Sequence, residues 1–546
     1  MTRMFDHLTI APIVLPLVAG AVLLLLDERR RVAKAAISLA SACALVGIAV
    51  LLLIQADAAG GTGTISVYRL GDWPAPFAIV LVADRLSATM LLLTSLLASA
   101  ALMFSLARWQ RAGPHFHSLF QFLLMGLNGA FLTGDLFNLF VFFELLLAAS
   151  YGLALHGTGI ARVKAGLHYI AMNLLASLMF LVGVSLIYAV TGTLNMADLA
   201  ARIPDLPSEY RPLFEAGAAI LGTAFLLKAG MWPLCFWLPT TYAAAAAPVA
   251  SVFAIMTKVG VYVVLRLWLL GFGSHASEAG QAGGEILLYG GIATVVFGAI
   301  GTLASQDNAR LAAFSVLISS GTILAAIGIG QVGVTGGALY YLVSSTLGIG
   351  AFFLLIELIE RSREPGADVL AVTREAYGEG DEALPEDDEA GVTIPAAMGM
   401  LGFSFLGCAL ILAGLPPLSG FVAKFALLNA ALNPAGAIPG GSPVGPARWL
   451  YVTVLMVSGL AALIAMVRAG INIFWIPGEQ RLPRIRAIEM IPIVVLLLLC
   501  VAQTVQAGPV MRFMNMTAEA LHAPAAYRNR VLEPAATAPM QERGTP

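Results

Sequence analysis

Four ionisable residues lie inside apolar stretches: Glu144 in FVFFELLLAAS, and Lys228, Lys258 and Lys424 further along the chain. Ionisable groups at membrane depth are costly, so they usually face a bundle interior or a wet cavity and mark a pathway. A carboxylate and several amines along a partly hydrated path can exchange protons near neutral pH, whereas arginine keeps its proton. The chemistry that these residue types predict is therefore a proton relay.

A different interpretation of such residues is a structural ion pair, or a long side chain that reaches the membrane interface. It fits Glu144 and Lys228 poorly, because both lie about ten residues from the ends of their predicted helices. It fits Arg266 and Arg468 better, since they lie near span ends. His156 and His168 are interpreted as interfacial residues with satisfied hydrogen bonds.

Helix-breaking residues accompany two of the lysines. A proline has no N–H to donate and its ring clashes with the preceding turn, so it interrupts a helix. Non-helical backbone at membrane depth is tolerated only where protein or a water-filled cavity surrounds it, and broken helices in the two halves of a transporter mark its transport site. Two ordinary kinks would explain the prolines but not the lysines beside them. The predicted breaking residues are Pro233 and Pro239 after Lys228, and Pro416, Pro417 and Gly420 before Lys424.

The composition indicates an integral membrane protein. Of 546 residues, 59% are hydrophobic and 11% charged, against about 25% charged in a soluble domain, and the mean hydropathy is +0.87. A net charge of −2 argues against nucleic acid as a partner. The four cysteines are isolated, so neither a metal site nor a disulfide framework is predicted, and no cofactor is expected.

Apolar runs long enough to cross a bilayer recur along the whole chain, and about 14 are predicted. Their length and the lack of alternation favour helices over a barrel, so the predicted fold is an all-α polytopic membrane protein. The run 397–432 is interpreted as one interrupted span. The predicted spans are 8–26, 34–54, 78–106, 115–131, 134–155, 165–191, 214–240, 246–270, 285–304, 311–330, 333–359, 397–432, 449–467 and 487–507.

Lys and Arg in the short loops predict the orientation, because cytoplasmic loops carry an excess of both. The loops after spans 1, 3, 5, 9 and 13 hold most of them, so both termini are expected outside. The acidic segment 361–393 is interpreted as a solvated cytoplasmic linker, with cation attraction or partner docking as the alternative. The last 40 residues are expected to form a poorly ordered tail. The loop residues used are Arg29, Arg30, Arg31, Lys34, Arg108, Arg111, Arg162, Lys164, Arg310, Arg481, Arg484 and Arg486.

FELLLAASYGL, LLKAGMWPLCFWLP, TKVGVY and GLPPLSGFVAKF resemble motifs of the antiporter-like membrane subunits shared by respiratory complex I and the Mrp-type (Mnh, Pha) cation/proton antiporters. The likeness extends from about residue 80 to about residue 470. TTYAAAAAPVASVFAIMTKVGVY, QDNARLAAFSVLISSGTILA and ADVLAVTREAYGEGDE look most like the D-type subunits of the Mrp or Pha antiporters.

The resemblance implies a fold in which spans 4–8 and 9–13 form two inverted five-helix repeats, with spans 7 and 12 broken. It implies a charge pair of Glu144 and Lys228, a central relay at Lys258 and a terminal relay at Lys424. The corresponding predicted divisions are 1–110 for the first three helices, 111–271 and 272–475 for the repeats, and 476–546 for the last helix and the tail.

The chain departs from the family pattern in its second half. Where many relatives carry a lysine two residues after Asp307, this chain has Ala309, and it has Ser344 and Gly348 where relatives often have a histidine and then a lysine. The path between Lys258 and Lys424 is therefore poor in titratable groups. Secondary candidates for a polar path are Asp84, Asp135, Ser315, Ser319, Ser344 and Ser345, the serines as holders of water.

The function implied by the resemblance is that of a bacterial inner-membrane component of an antiporter, not an enzyme, that exchanges cytoplasmic Na⁺ or K⁺ for external protons. Such a chain works with one larger and several smaller membrane subunits. One alternative is a proton-pumping subunit of a complex I-like or hydrogenase complex. Another is a scaffold that transports nothing, motivated by the sparse second half.

Overall fold

The computed structural model describes residues 7–58, 63–157, 159–272, 278–361, 396–433, 444–475 and 486–533. The elements are helices apart from a two-stranded antiparallel sheet, β1 (Ser66–Arg69) and β2 (Val80–Ala83), and short 3₁₀ and π turns. The helices are α1 (Ala11–Leu25), α2 (Arg31–Asp57), α3 (Arg85–Ser105), α4 (Phe116–Leu132), α5 (Leu136–Ala154), α6 (Ile160–Thr191), α7 (Met196–Arg202), α8 (Arg211–Ala229), α9 (Trp237–Ala244), α10 (Ala247–Leu267), α11 (Glu278–Ala304), α12 (Asn308–Ile329), α13 (Val332–Glu360), α14 (Ala396–Ala413), α15 (Ser419–Leu432), α16 (Pro446–Phe474), α17 (Ala487–Val505), α18 (Ala507–His522) and α19 (Ala525–Leu532).

The all-α membrane fold predicted from the sequence is confirmed. Eleven of the described helices are long and apolar enough to cross a membrane. The three remaining predicted spans contain the shorter apolar helices α1, α4 and the pair α14 and α15. Two of the predicted spans are divided in two, by a connection between α8 and α9 and by another between α14 and α15.

The centre of the bundle is formed by α10, α12 and α13. In the apolar stretches of α10 and α13, 94% and 89% of the residues are buried, against 33% in the peripheral α2. Close approach of backbones makes this packing possible: a Cβ added to Gly260 of α10 would lie 2.8 Å from the backbone nitrogen of Ala229, at the end of α8. The helix that carries Lys258 therefore passes directly against the first interrupted span.

The prediction of a poorly ordered tail is wrong for residues 507–533. Four buried residues of α18, Met514, Thr517, Ala518 and Leu521, recur at helical spacing and form one face. Thr335 at the start of α13 bonds to His522 of α18 at 3.0 Å. The Ala and Pro content of this segment suggests disorder, but its buried residues recur at helical spacing and the segment forms a helix. Residues 534–546 and 362–395, which contain nearly all of the acidic segment, lie outside the described residues.

The C-terminal helices also close over an ion pair at the start of α3. Arg266 of α10 donates two hydrogen bonds to Asp84, at 2.5 and 2.9 Å, and both side chains are mostly buried. The Tyr527 ring of α19 covers the Arg266 guanidinium at 5.3 Å. Of the two structural interpretations of Arg266, an ion pair or a side chain that reaches the interface, the structure shows the ion pair.

Replacement of Tyr527 by alanine should therefore lower the thermal stability of the protein. Tyr527 is 6% exposed, and truncation of a large buried aromatic side chain costs about 3–5 kcal/mol. The measurement is the melting temperature of the purified protein in detergent, with Tyr210→Ala as the control because Tyr210 is 48% exposed. Equal melting temperatures for the two variants would contradict the packing of α19.

Candidate functional site

The first interruption begins at a helix end closed by glycine. Gly230 has a left-handed conformation (φ 73°) that favours glycine, and Met231 N–H donates to the carbonyl of Leu226 at 2.9 Å. The connection contains Pro233, as expected. Pro239 lies in the first turn of α9, where a missing N–H leaves no helical bond unmade, so it does not break the span as predicted.

The second interruption repeats this geometry. Gly414 is left-handed (φ 77°), and Leu415 N–H donates to the carbonyl of Leu410 at 2.9 Å. Pro416 and Pro417 lie in the connection, as predicted. Gly420 lies in the first turn of α15, where an added Cβ would lie 2.1 Å from the carbonyl oxygen of Ile411. Glycine is therefore required for α15 to approach α14 so closely.

Lys228 lies in the last turn of α8, 5% exposed, with an ammonium group that has no hydrogen-bond partner among the described residues. Its Nζ lies over the ring of Phe143, 4.8 Å from the centroid. The neighbouring Glu144, near the middle of α5, has a buried Oε1 that also lacks a partner within the described chain. Glu144 and Lys228 form no ion-pair contact with each other.

Lys258 is fully buried in α10, and its Nζ donates to Ser320 Oγ of α12 at 3.1 Å. This bond joins the helix beside the first interruption to a helix of the second half. Ser320 was not singled out from the sequence, although it follows the candidate Ser319 directly. Adjacent residues of a helix point in different directions, so two consecutive serines in a buried helix can bond to two different neighbouring helices. The consecutive Ser319 and Ser320 were therefore a signal in the sequence.

Lys424 is held differently from Lys228. Its Nζ donates to the carbonyl oxygens of Ala413 at 2.8 Å and Leu412 at 3.3 Å, the last residues of α14. A positive charge is stabilised at a helix C-terminus, where carbonyl groups lack partners within the helix. At the first interruption a carbonyl of the last turn of α8, that of Leu227, accepts hydrogen bonds from the indole of Trp237 at 3.3 Å and from Gly230 N–H at 3.2 Å. The Lys228 ammonium donates to none of the described carbonyls at this helix end.

Three of the four candidate serines lie close together between α12, α13 and the second interruption. Ser319 and Ser345 share a hydrogen bond of 2.7 Å, and Ser344 shares one of 2.7 Å with Ser419 at the start of α15. Ser315 lies one turn away and donates to the carbonyl of Leu311. A small cavity is lined by Ser315, Tyr341, Ser344, Ser345, Leu412 and Gly420, and so reaches the helix end that binds Lys424.

Other polar candidates have structural contacts. Asp135 caps the start of α5 by accepting the N–H of Asn138 at 2.8 Å, and Asp84 caps α3 while pairing with Arg266. Arg468 donates to the carbonyl of Ser305 at 2.6 Å. His156, outside the spans, bonds to the carbonyl of Trp109 at 2.8 Å, and its burial lowers the pKa of the imidazole. His168 is exposed on α6.

The described part of the chain has no group of three His, Cys, Asp or Glu side chains that could hold a metal ion. The arrangement instead contains three buried ammonium groups in different surroundings. Lys228 faces a ring, Lys258 a hydroxyl and Lys424 two carbonyls. Such groups can accept and release protons if water reaches them, and the fold brings two of them to its helix interruptions.

Residues 133–378 match the family model for the membrane domain of NADH:quinone oxidoreductases and Mrp antiporters. A probable D-type subunit of a K⁺/H⁺ antiporter from Rhizobium meliloti (strain 1021) is 60% identical, over 97% of this chain and 98% of its own length. The chain belongs to this family. The D-type subunit of the Na⁺/H⁺ antiporter of Alkalihalophilus pseudofirmus is 33% identical over 97% of this chain and all of its own length.

Solved structures of the family agree with the fold. A chain of the Mrp complex from Dietzia sp. DQ12-45-1b superposes with a TM-score of 0.81 at 25% identity, covering 97% of this chain and 100% of that one. A chain of respiratory complex I from Thermus thermophilus gives 0.72 at 23% identity, covering 96% and 99%. The resemblance inferred from the motifs is thereby confirmed, with the D-type subunits as relatives over nearly the full length.

The different surroundings of Lys228 and Lys424 predict different effects of replacing each with methionine. Lys424→Met leaves two buried carbonyls without a donor, at a cost of about 1–3 kcal/mol each, so the melting temperature should fall. Lys228→Met removes a buried charge that donates no hydrogen bond within the described chain and lies only over the Phe143 ring, so the melting temperature should fall less than for Lys424→Met or stay unchanged. Thermal unfolding of the purified variants measures both. A larger decrease for Lys228→Met than for Lys424→Met would show that the two contacts are assigned wrongly.

Proposed function

We propose that this chain is the D-type membrane subunit of a multisubunit antiporter that exchanges a cytoplasmic monovalent cation for external protons, driven by the proton-motive force. The names of its full-length relatives support antiport. The observation within the chain that supports the proposal best is the buried Lys228 ammonium without a hydrogen-bond partner in the described residues, next to the Glu144 carboxylate. Because Lys228 donates no hydrogen bond there, none is lost when its charge changes.

In the proposed mechanism the Lys228 ammonium releases its proton and the resulting amine later takes up another. Each step changes its electrostatic interaction with Glu144, and the change is passed to Lys258. The Lys258 ammonium is bonded to Ser320, from which the relay continues through the serines of α12 and α13. The small cavity beside Ser344 and Ser345 reaches the helix end that binds Lys424, and a water molecule there would extend the path towards this lysine. Hydroxyls and water thus replace the titratable groups that this chain lacks at Ala309, Ser344 and Gly348.

The cation that fits the comparisons best is K⁺, because the 60% identical relative is named as part of a K⁺/H⁺ antiporter, whereas relatives at 33% and 32% are named for Na⁺. The proposed setting is the inner membrane of a bacterium with both termini outside. The proposed partners are one larger and several smaller membrane subunits. The divisions 1–110, 111–271, 272–475 and 476–546, with two inverted repeats, remain part of the proposal.

Two other functions compete with this one. Copurification with iron–sulfur and quinone-binding subunits would favour a proton pump coupled to electron transfer. The alternative of a scaffold that transports nothing is based on the small number of titratable groups in the second half of the chain. The serines between Lys258 and Lys424 argue against it.

The test is cation-dependent proton flux in inside-out vesicles that carry the whole complex. Glu144→Ala and Lys228→Ala should each lower the flux about 100-fold or more, the range typical of removing a proton-transfer group. Lys164→Ala is the matched control, since Lys164 is exposed near the start of α6. Equal amounts of assembled complex must be verified for all variants. Full flux and full salt resistance in both site variants would favour the scaffold and refute the relay.

A further inference from the structure

The contact that holds the Lys228 ammonium is made by an aromatic ring. Phe143 lies with its ring centroid 4.8 Å from Nζ, within the roughly 6 Å at which a cation is attracted to a ring face. Nζ lacks a hydrogen-bond partner in the described chain, so its favourable contact there is with the Phe143 ring. The attraction is stronger when the cation is removed from water, as it is here.

The position of the ring is set by its neighbours. Phe143 is 3% exposed and packs against Phe225 of α8, with ring centroids 5.7 Å apart, and against Phe180 of α6 at 6.2 Å. Phe180 and Phe225 contact each other at 5.1 Å. Because Phe225 lies one turn before Lys228 on α8, the same helix carries both the lysine and part of the packing that positions the ring.

Phe225 of this cluster also lines a large groove. The groove, with a volume of about 930 Å³, extends from Arg211 at the start of α8 to Phe225 and Leu226. Phe225 thus belongs both to the wall of the groove and to the ring cluster that contains Phe143. A side chain that only filled space here could be aliphatic, whereas phenylalanine adds a ring face that attracts the ammonium.

The ring and the carboxylate belong to consecutive residues of α5. The Lys228 ammonium lies over Phe143, while the Oε1 atom of Glu144 is buried and has no described partner. The long side chain of lysine has several rotatable bonds, so two neighbouring sites are available to it. The ring site holds the charge without donating or accepting a proton, and the carboxylate site offers a proton acceptor.

We propose that Phe143 is a positioning residue that holds the Lys228 ammonium on its ring face, apart from Glu144, and that the ammonium moves between ring and carboxylate during translocation. The proposal rests on the relay function proposed for Lys228. It gives Phe143 a role in the relay in addition to hydrophobic packing.

The test replaces Phe143 by phenylalanines carrying one, two and three fluorine atoms, introduced into the complete complex. Fluorine withdraws charge from the ring face and weakens its attraction for a cation while nearly keeping the shape of the side chain. Cation-dependent proton flux in vesicles should fall stepwise, by about 3- to 10-fold from phenylalanine to the trifluorinated ring. Phe180 carries the matched control series, because it packs in the same cluster without facing Lys228.

A flat series at Phe143 would overturn the proposal, and so would an equal decline at Phe180, which would indicate packing alone. The amount of complex and its melting temperature are expected to stay constant across both series. Lys228→Ala in the same vesicles separates the two claims. If that variant has no flux and the Phe143 series is flat, the relay stands and the role of the ring fails; if it keeps full flux, the proposed function fails and the role of Phe143 with it.

Discussion

The constraint on which this structure depends is that every helix end left inside the bundle must find hydrogen-bond donors for its last carbonyl groups. Water is scarce at that depth, and an unpaired carbonyl is costly. In both interrupted spans a glycine in the left-handed conformation, Gly230 or Gly414, folds the chain back on the helix end. The two spans differ in the side chain that donates a further hydrogen bond to a carbonyl near the helix end.

Lys228 and Lys424 therefore have different contacts at the two helix ends. At the first helix end the Trp237 indole donates to the carbonyl of Leu227, and the Lys228 ammonium lies over the ring of Phe143. At the second helix end Lys424 itself is the cap, through Ala413 and Leu412. Loss of the Lys424 charge would weaken its bonds to the end of α14. A change in the charge of Lys424 would therefore disturb the interruption, whereas Lys228 donates no hydrogen bond within the described chain that such a change would remove.

Much of this was predictable from the sequence, because the relevant signals are local. Charged residues such as Glu144 and Lys258 stand out from the apolar residues around them, and the proline pairs mark the interruptions within a few residues. Contacts between distant segments were not predictable in this way. The bond between Lys258 and Ser320, the capping by Trp237 and the pairing of Arg266 with Asp84 each join residues that only the folded bundle brings together.

Glu144 and Lys228 are proposed to act as one unit although they are not in contact in this state. A double-mutant cycle with Glu144→Gln and Lys228→Met tests this most directly, measured as cation-dependent proton flux of the whole complex in vesicles. If the residues form one relay, the double variant loses no more flux than the more damaging single variant. Losses that multiply, as for independent sites, would contradict a shared relay.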